Sequence, residues 1–336
     1  MCVIRLSNIE LLRLLAMLLI LFGHFHSRLS PMPQFDAICQ RPIHSYVELM
    51  LRCFATSGVG VFVAISGWFS VKLKRKGLAK YIFQVLFILW VIYGIVIATH
   101  ITELNTEGIR ISLSFYEGYW FVLGYLGLYL FSPILNSFVE HSTKSEFQVV
   151  LLSYYLFQSY YSWLSAWYDY YDGYSIILFG GIYLTAAYLR KYPIVFLQKY
   201  SVILLFVVIL VMATIAYFSL WKFGHAARQI RDDNPLMILV SVLLLLSFNK
   251  FHFQCRFVNW LAASCFAVYL IHFNPFVYPF LMSIFKIVYM KNDGLLYVIS
   301  LFLILSAIFL VCTLFDQIRI FTWNTILRTK IKVKEC

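Results

Sequence analysis

Apolar residues in this chain come in blocks of about twenty, the length of helix that crosses roughly 30 Å of hydrocarbon at 1.5 Å per residue. Ten such blocks can be marked, over 9–28, 46–70, 81–101, 118–139, 147–166, 174–189, 200–220, 235–249, 258–283 and 295–315. A soluble fold could not hide them. Hydrophobic residues fill 62% of the 336 positions and charged residues 12%, against roughly half and about a quarter in an ordinary soluble domain. The expected fold is all-α, a polytopic membrane bundle of about ten transmembrane helices. The connections are too short to hold a soluble domain, so residues 1–320 read as one membrane domain and 321–336 as a basic cytoplasmic tail.

Arg5 ahead of the run from Leu14 to Phe22 imitates a signal peptide, but no small-residue cleavage site follows and the run contains Arg13 and His24. It reads as a retained first span, with Ser7-x-x-Glu10 as a capping box at its start. Orientation follows from the Lys and Arg between spans. With the N-terminus inside, 17 of the 27 fall in inner segments and 8 in outer ones, and Asp169 and Asp172 fall outside. That bias places both termini in the cytoplasm. It also accounts for the net charge of +12 without nucleic acid, since no basic stripe interleaved with aromatics is present. The seven cysteines have no paired spacing, which indicates neither a disulfide framework nor a metal site.

A charge at mid-bilayer costs about 2.5 to 3.5 kcal/mol on insertion scales, so each one retained there asks for a reason. Arg13 and His24 are eleven residues apart, about 20° from three whole turns, and so share one face of the first helix. Glu10 lies one turn before Arg13 and can pair with it. His26 points elsewhere and reads as an interfacial polar residue. Two readings of the Arg13–His24 face stand: a snorkelling cation with a hydrogen-bonded histidine, or a conduit from a cation to an imidazole able to exchange protons.

The second span ends in Ser66-Gly67-Trp68 and is followed by Lys72, Lys74, Arg75, Lys76 and Lys80. Small residues at 60 and 64 let helices approach closely. The basic run is either a topology signal touching lipid headgroups or a phosphate-binding mouth. Glu48 and Arg52, four apart, read as a structural pair. In the fourth span, Tyr125, Tyr129, Ser132 and Asn136 form a polar stripe at helical spacing after Trp120, implying a face turned to protein or to a wet cavity. Tyr269-Leu-Ile-His272 places a second imidazole in the ninth span, either in one site with His24 or as an unrelated satisfied histidine.

These residues resemble the membrane-bound acyltransferase 3 family, the O-acyltransferases of bacterial surface polysaccharides. The matching pieces are Asn8-Ile-Glu10-Leu-Leu-Arg13 with ten residues before His24, Ile65-Ser66-Gly67-Trp68 with its basic loop, Tyr119-Trp120-Phe121 through Pro133, and Tyr269-Leu-Ile-His272. Two departures stand out: Val63 replaces the second of two phenylalanines common before the Ser-Gly motif, and Lys72 and Arg75 stand where arginines are common. The resemblance implies an acetyl-CoA-dependent O-acetyltransferase in the bacterial inner membrane, acting on a polysaccharide or lipid-linked sugar. His24 would be the general base, with Arg13, Glu10 and His272 beside the chemistry. Ser66, Gly67, Trp68, Lys72, Lys74, Arg75, Lys76 and Lys80 would bind the donor, and Trp120, Tyr125, Tyr129 and Arg52 the acceptor. The rival from another class is a transporter or flippase of a lipid-linked glycan that uses Arg13, His24 and His272 to bind substrate or relay protons.

Overall fold

A computed structural model of the chain describes residues 5–114, 117–160, 176–292 and 294–334, the side chains of 117, 227, 228 and 327–334 excepted. Among the described residues all regular structure is helical. The α-helices are α1 Ser7–Leu29, α2 Phe35–Gln40, α3 Pro42–Trp68, α4 Arg75–Ala98, α5 Thr106–Ser112, α6 Trp120–His141 and α7 Lys144–Ser159, followed by α8 Ile176–Lys191, α9 Val195–Phe223, α10 Pro235–Phe248, α11 Arg256–Ala262, α12 Cys265–His272, α13 Tyr278–Lys291 and α14 Gly294–Lys334. Asp169, Asp172, Cys2 and Cys336 lie outside the described residues, as do the side chains of Arg228 and of the tail cations from Arg328 onward.

Among the described residues six helices are long and apolar enough to cross a membrane: α1, α3, α4, α6, α9 and α14 as far as Ile326. In α9 apolar residues surround the axis, with Ile203, Phe206 and Phe218 about 60% exposed, as expected of a helix facing lipid. The other four blocks seen in the sequence fall on shorter pieces. Helix α10 has 14 residues, most of them buried, and spans only about 21 Å. It is apolar because protein surrounds it, a cause that hydropathy does not separate from lipid. Helix α8 has 16 residues, and of the block at 147–166 only α7 and Tyr160 are described. The block at 258–283 is broken twice, by the turn at Ala263 and Ser264 and again at Asn274-Pro275. There the Asn274 Oδ1 accepts from the Phe276 amide at 3.0 Å, and Pro275 biases Asn274 away from helix.

The chain forms two compact units, residues 1–72 with 123–259, and 73–122 with 260–336. In the first, α3 packs against α1, α8, α9 and α10. Three of its glycines admit neighbouring helices closely, Gly58 and Gly67 at backbone distance and Gly60 against a side chain. A Cβ on Gly58 would sit 2.7 Å from the Ala16 carbonyl oxygen, and one on Gly60 would overlap the Ser241 hydroxyl. On Gly67 it would overlap the Tyr183 carbonyl. Gly60 and fully buried Ala64 thus serve the close packing that their size suggests.

In the second unit α12 packs against α14 and α4. Asp316 of α14 binds Arg319 through Nε at 2.6 Å and Nη2 at 2.8 Å, and accepts from Ser264, ahead of α12, at 2.8 Å.

Replacing Gly58 with alanine should destabilise the protein by about 1 to 3 kcal/mol, the usual cost of overpacking a close contact. Gly180, where an added Cβ would meet nothing within 4 Å, should accept alanine with no loss, because helical glycine is itself unfavourable. Thermal unfolding in detergent decides it: equal midpoints for the two variants would refute the packing role of Gly58.

Candidate functional site

Helix α1 begins one residue earlier than a capping box needs. Ser7 is already helical and Leu6 precedes it without a side-chain cap. The Ser7 hydroxyl is drawn into a tertiary network instead: it donates to Asn259 Oδ1 at 2.9 Å and accepts from the Cys255 amide at 2.9 Å. Asn8 donates to the Phe248 carbonyl at 3.1 Å. Glu10 turns to Arg13, 2.6 Å from its Nη1, as the one-turn spacing predicts. Glu10 is buried and the Arg13 side chain is one-third exposed.

Helices α1 and α3 run antiparallel, since Ala16 meets Gly58, Gly23 meets Ala55, and His26 meets Glu48. Glu10 and Arg13 therefore lie toward the end of α3 that carries Ser66-Gly67-Trp68. His24, half-buried, lies about 16 Å along the axis toward the Glu48 end.

His26 does not behave as an interfacial residue. It is 7% exposed, its Nε2 lies 2.7 Å and 3.0 Å from the two Glu48 oxygens, and its ring stacks on Phe22 at 4.7 Å. Arg52 donates through Nε to Glu48 at 2.7 Å and through Nη2 to the Ser30 carbonyl. The pair expected at Glu48 and Arg52 is thus a triad closing the α1–α3 contact. Position 26 gave no sign of this, because its partner lies 22 residues away on another helix.

The other end of α3 is held by α6 and α8. Ser66 donates to the Phe62 carbonyl at 3.0 Å and shares a 3.0 Å hydrogen bond with the Tyr125 hydroxyl. Tyr129 donates to the Lys72 carbonyl at 3.3 Å, and Asn136 to the Val71 carbonyl at 2.9 Å. Tyr183 in turn donates to Asn136 Oδ1 at 2.6 Å. The polar stripe of α6 therefore faces protein, Tyr129 and Asn136 satisfying carbonyls of the segment just beyond α3, whose own carbonyls at Ile65, Ser66 and Gly67 accept from the amides of Phe69, Val71 and Ser70. Arg190 completes the arrangement by donating to the Trp68 carbonyl.

In the second unit two of the quoted motifs meet. Tyr119 donates to the Leu270 carbonyl at 3.1 Å and Tyr269 to the Gly118 carbonyl at 2.9 Å, with their rings 6.3 Å apart. The Trp120 and Phe121 rings stand edge-on at 5.9 Å. His272 is fully buried and donates through Nδ1 to the Val268 carbonyl at 2.7 Å. His24 belongs to the first unit and His272 to the second. Lys72 closes a segment of the first unit, and Lys74, Arg75, Lys76 and Lys80 open the second.

The sequence matches the family model described as an acyltransferase domain, acyltransferase 3, over residues 6–316. The chain belongs to the acyltransferase 3 family. No curated protein and no solved structure compared with it matches significantly. As an acyltransferase 3 protein with six helices fit to cross a membrane among the described residues, it is a multi-pass membrane acyltransferase. The match takes in both units, from α1 to the Asp316 that pairs with Arg319.

Sequence reasoning missed three contributors to this arrangement: His26, Tyr183 and Arg190. Only Arg190 carried a signal, as one of the cations counted for topology. The triad makes a measurable claim about the acyltransferase. Glu48→Ala should cost about 3 to 5 kcal/mol, because it strands the largely buried Arg52. The joint change Glu48→Leu with Arg52→Met should recover most of the loss, since a buried pair and an apolar replacement are nearly equivalent. Chemical unfolding checks this, and wild-type stability of Glu48→Ala would rule the triad out as a structural lock.

Proposed function

We propose that this protein transfers an acetyl group from acetyl-CoA, taken from the cytoplasmic side, to a hydroxyl of a cell-surface or lipid-linked polysaccharide. The observation that carries the reading is the α1 face in a chain of the acyltransferase 3 family: Arg13 held by Glu10 at 2.6 Å, and a half-buried imidazole on the same face three turns on. Because α1 and α3 are antiparallel, the Arg13 end coincides with the end of α3 where Lys72 begins the basic run. The donor's phosphates sit at that end, and its pantetheine arm follows α1 toward His24.

His24 takes the proton of the acceptor hydroxyl as its oxygen attacks the thioester carbonyl. The carbon–sulfur bond then breaks, and the proton passes from His24 to the leaving thiolate, giving free CoA and the acetyl ester. An imidazole suits this because its ordinary pKa lies near neutrality, and general base catalysis typically contributes about 10² to 10⁴ in rate. Tyr125 and Tyr129 act here through α3, holding its Ser66 end, and Arg52 through Glu48. In this reading the chain crosses the bacterial inner membrane about ten times with both termini in the cytoplasm, the shorter helices α7, α8 and α10 and the broken α11 to α13 supplying the remaining crossings.

In cells, His24→Ala should abolish acetylation of the surface polysaccharide and leave its synthesis and export intact. Acetylation that survives refutes the role of His24, and a block in export instead supports a transporter. Arg13→Ala should raise the acetyl-CoA concentration needed for half-maximal rate by about tenfold, the effect of losing roughly 1.4 kcal/mol of binding. For topology, an epitope inserted between 102 and 117 should be labelled from outside intact cells; protection there reverses the orientation.

A further inference from the structure

The cation best prepared to meet a phosphate in the first unit lies outside the basic run, on α8. Arg190, in the last turn of α8, is exposed, yet its guanidinium is fixed in place. It lies 5.5 Å over the Phe69 ring, and Nη1 donates to the Trp68 carbonyl. Phe69 and Trp68 are the residues directly after Ser66-Gly67 at the end of α3, and Lys72 follows three residues later. Gly67 makes the placement possible, because only a residue without Cβ lets the α8 backbone at Tyr183 come so near. The Tyr183–Asn136 and Asn136–Val71 hydrogen bonds then fix α8 against the same segment.

A guanidinium has five N–H donors in a planar fork. Among the described residues Arg190 spends one on Trp68, and no carboxylate pairs with it. Its neighbour Lys191 is differently occupied, capping the α6 end through the Val139 carbonyl at 2.6 Å and the Ser142 carbonyl at 3.0 Å. An ordered fork with open donors and no acidic partner is suited to a phosphate, which it can meet with two parallel bonds. Little side-chain freedom remains to be lost on binding, because Phe69 and the carbonyl already hold the group. A plain C-terminal cap for α3 needs only the Trp68 contact and makes no use of the other donors.

We propose that Arg190 is a binding residue for a phosphate of the acyl donor, meeting it bidentately beside the end of α3. The proposal rests on the reading of the protein as a CoA-dependent acyltransferase. Phospholipid headgroups carry the same chemistry, and the test separates the two.

The full chain, in nanodiscs of phosphatidylcholine, is titrated with CoA and with pantetheine, which shares the arm but has no phosphates. Arg190→Ala should weaken CoA binding about tenfold and leave pantetheine binding unchanged, and Arg190→Lys should fall between, since it keeps the charge but loses the fork. Equal weakening for both ligands overturns the proposal, making Arg190 a support for α3 alone, as does unchanged CoA affinity. If phosphatidylglycerol nanodiscs abolish the difference between wild type and Arg190→Ala, the guanidinium belongs to the lipid and the proposal falls. A wild-type protein that binds neither ligand overturns the CoA-dependent reading itself, a result distinct from the failures of Arg190.

Discussion

The first unit depends on backbone-to-backbone contact along α3. Without a hydrophobic driving force between helices in lipid, association rests on packing and hydrogen bonds, and both improve when backbones meet. Gly58, Gly60 and Gly67 open α3 to α1, α10 and α8 in turn. Each of the latter helices brings a polar group that α3 needs or orders: the Glu48 partner His26 from α1, the Ser241 hydroxyl donating to the Ser57 carbonyl at 3.1 Å from α10, and Tyr183 with Arg190 from α8. The hydrogen bonds are short-range and follow from the glycines, which set the distances over which side chains can reach.

Charge inside the helices is managed by the same economy of distance. Arg13 has Glu10 one turn away, Arg52 has Glu48, and Arg319 has Asp316. Every one of these pairs is local to a helix, so it forms as the helix forms and asks nothing of tertiary placement. What tertiary structure adds is a third member: His26 on Glu48 and Ser264 on Asp316. A charge neutralised within its own helix can enter the membrane at reduced cost, and the third contact then fixes which neighbour that helix accepts. Arg13 differs from the other two cations because its side chain remains one-third exposed, on the face it shares with His24.

How much of this the sequence disclosed varies with the reach of each interaction. The helical class, the membrane setting and the Glu10–Arg13 pair depend on composition and on residues three or four apart, and all were legible. The number of bilayer-length helices was not. Helix α10 is apolar because protein encloses it, and the ninth block looks continuous in hydropathy although Ser264 and Pro275 interrupt it. The stripe of Tyr125, Tyr129 and Asn136 was legible as a polar face, but its partners, the Ser66, Lys72 and Val71 end of α3, were not, since sequence spacing fixes a face and not what it meets. The capping box failed for a related reason. Ser7 had better partners in Asn259 and Cys255, some 250 residues away, and a local rule carries no information about them.

On the proposed reading the Ser-Gly motif is where a structural device and a chemical one share residues. Read alone, Gly67 is a packing glycine and Ser66 a side chain bonded back to its own helix at Phe62. Yet the chain is held from outside where that helix stops, by Arg190 on the Trp68 carbonyl, Asn136 on that of Val71 and Tyr129 on that of Lys72, so it stays fixed beyond the last turn of α3. A helix C-terminus is the negative end of the macrodipole and repels anions. On the proposed reading an anionic donor approaches that end, and Lys72 and Arg190 are the cations that would offset the dipole where α3 stops. The antiparallel packing of α1 puts Arg13 at this end and His24 beyond it, and on the proposed reading that order of groups along one helix is the direction the donor's arm follows.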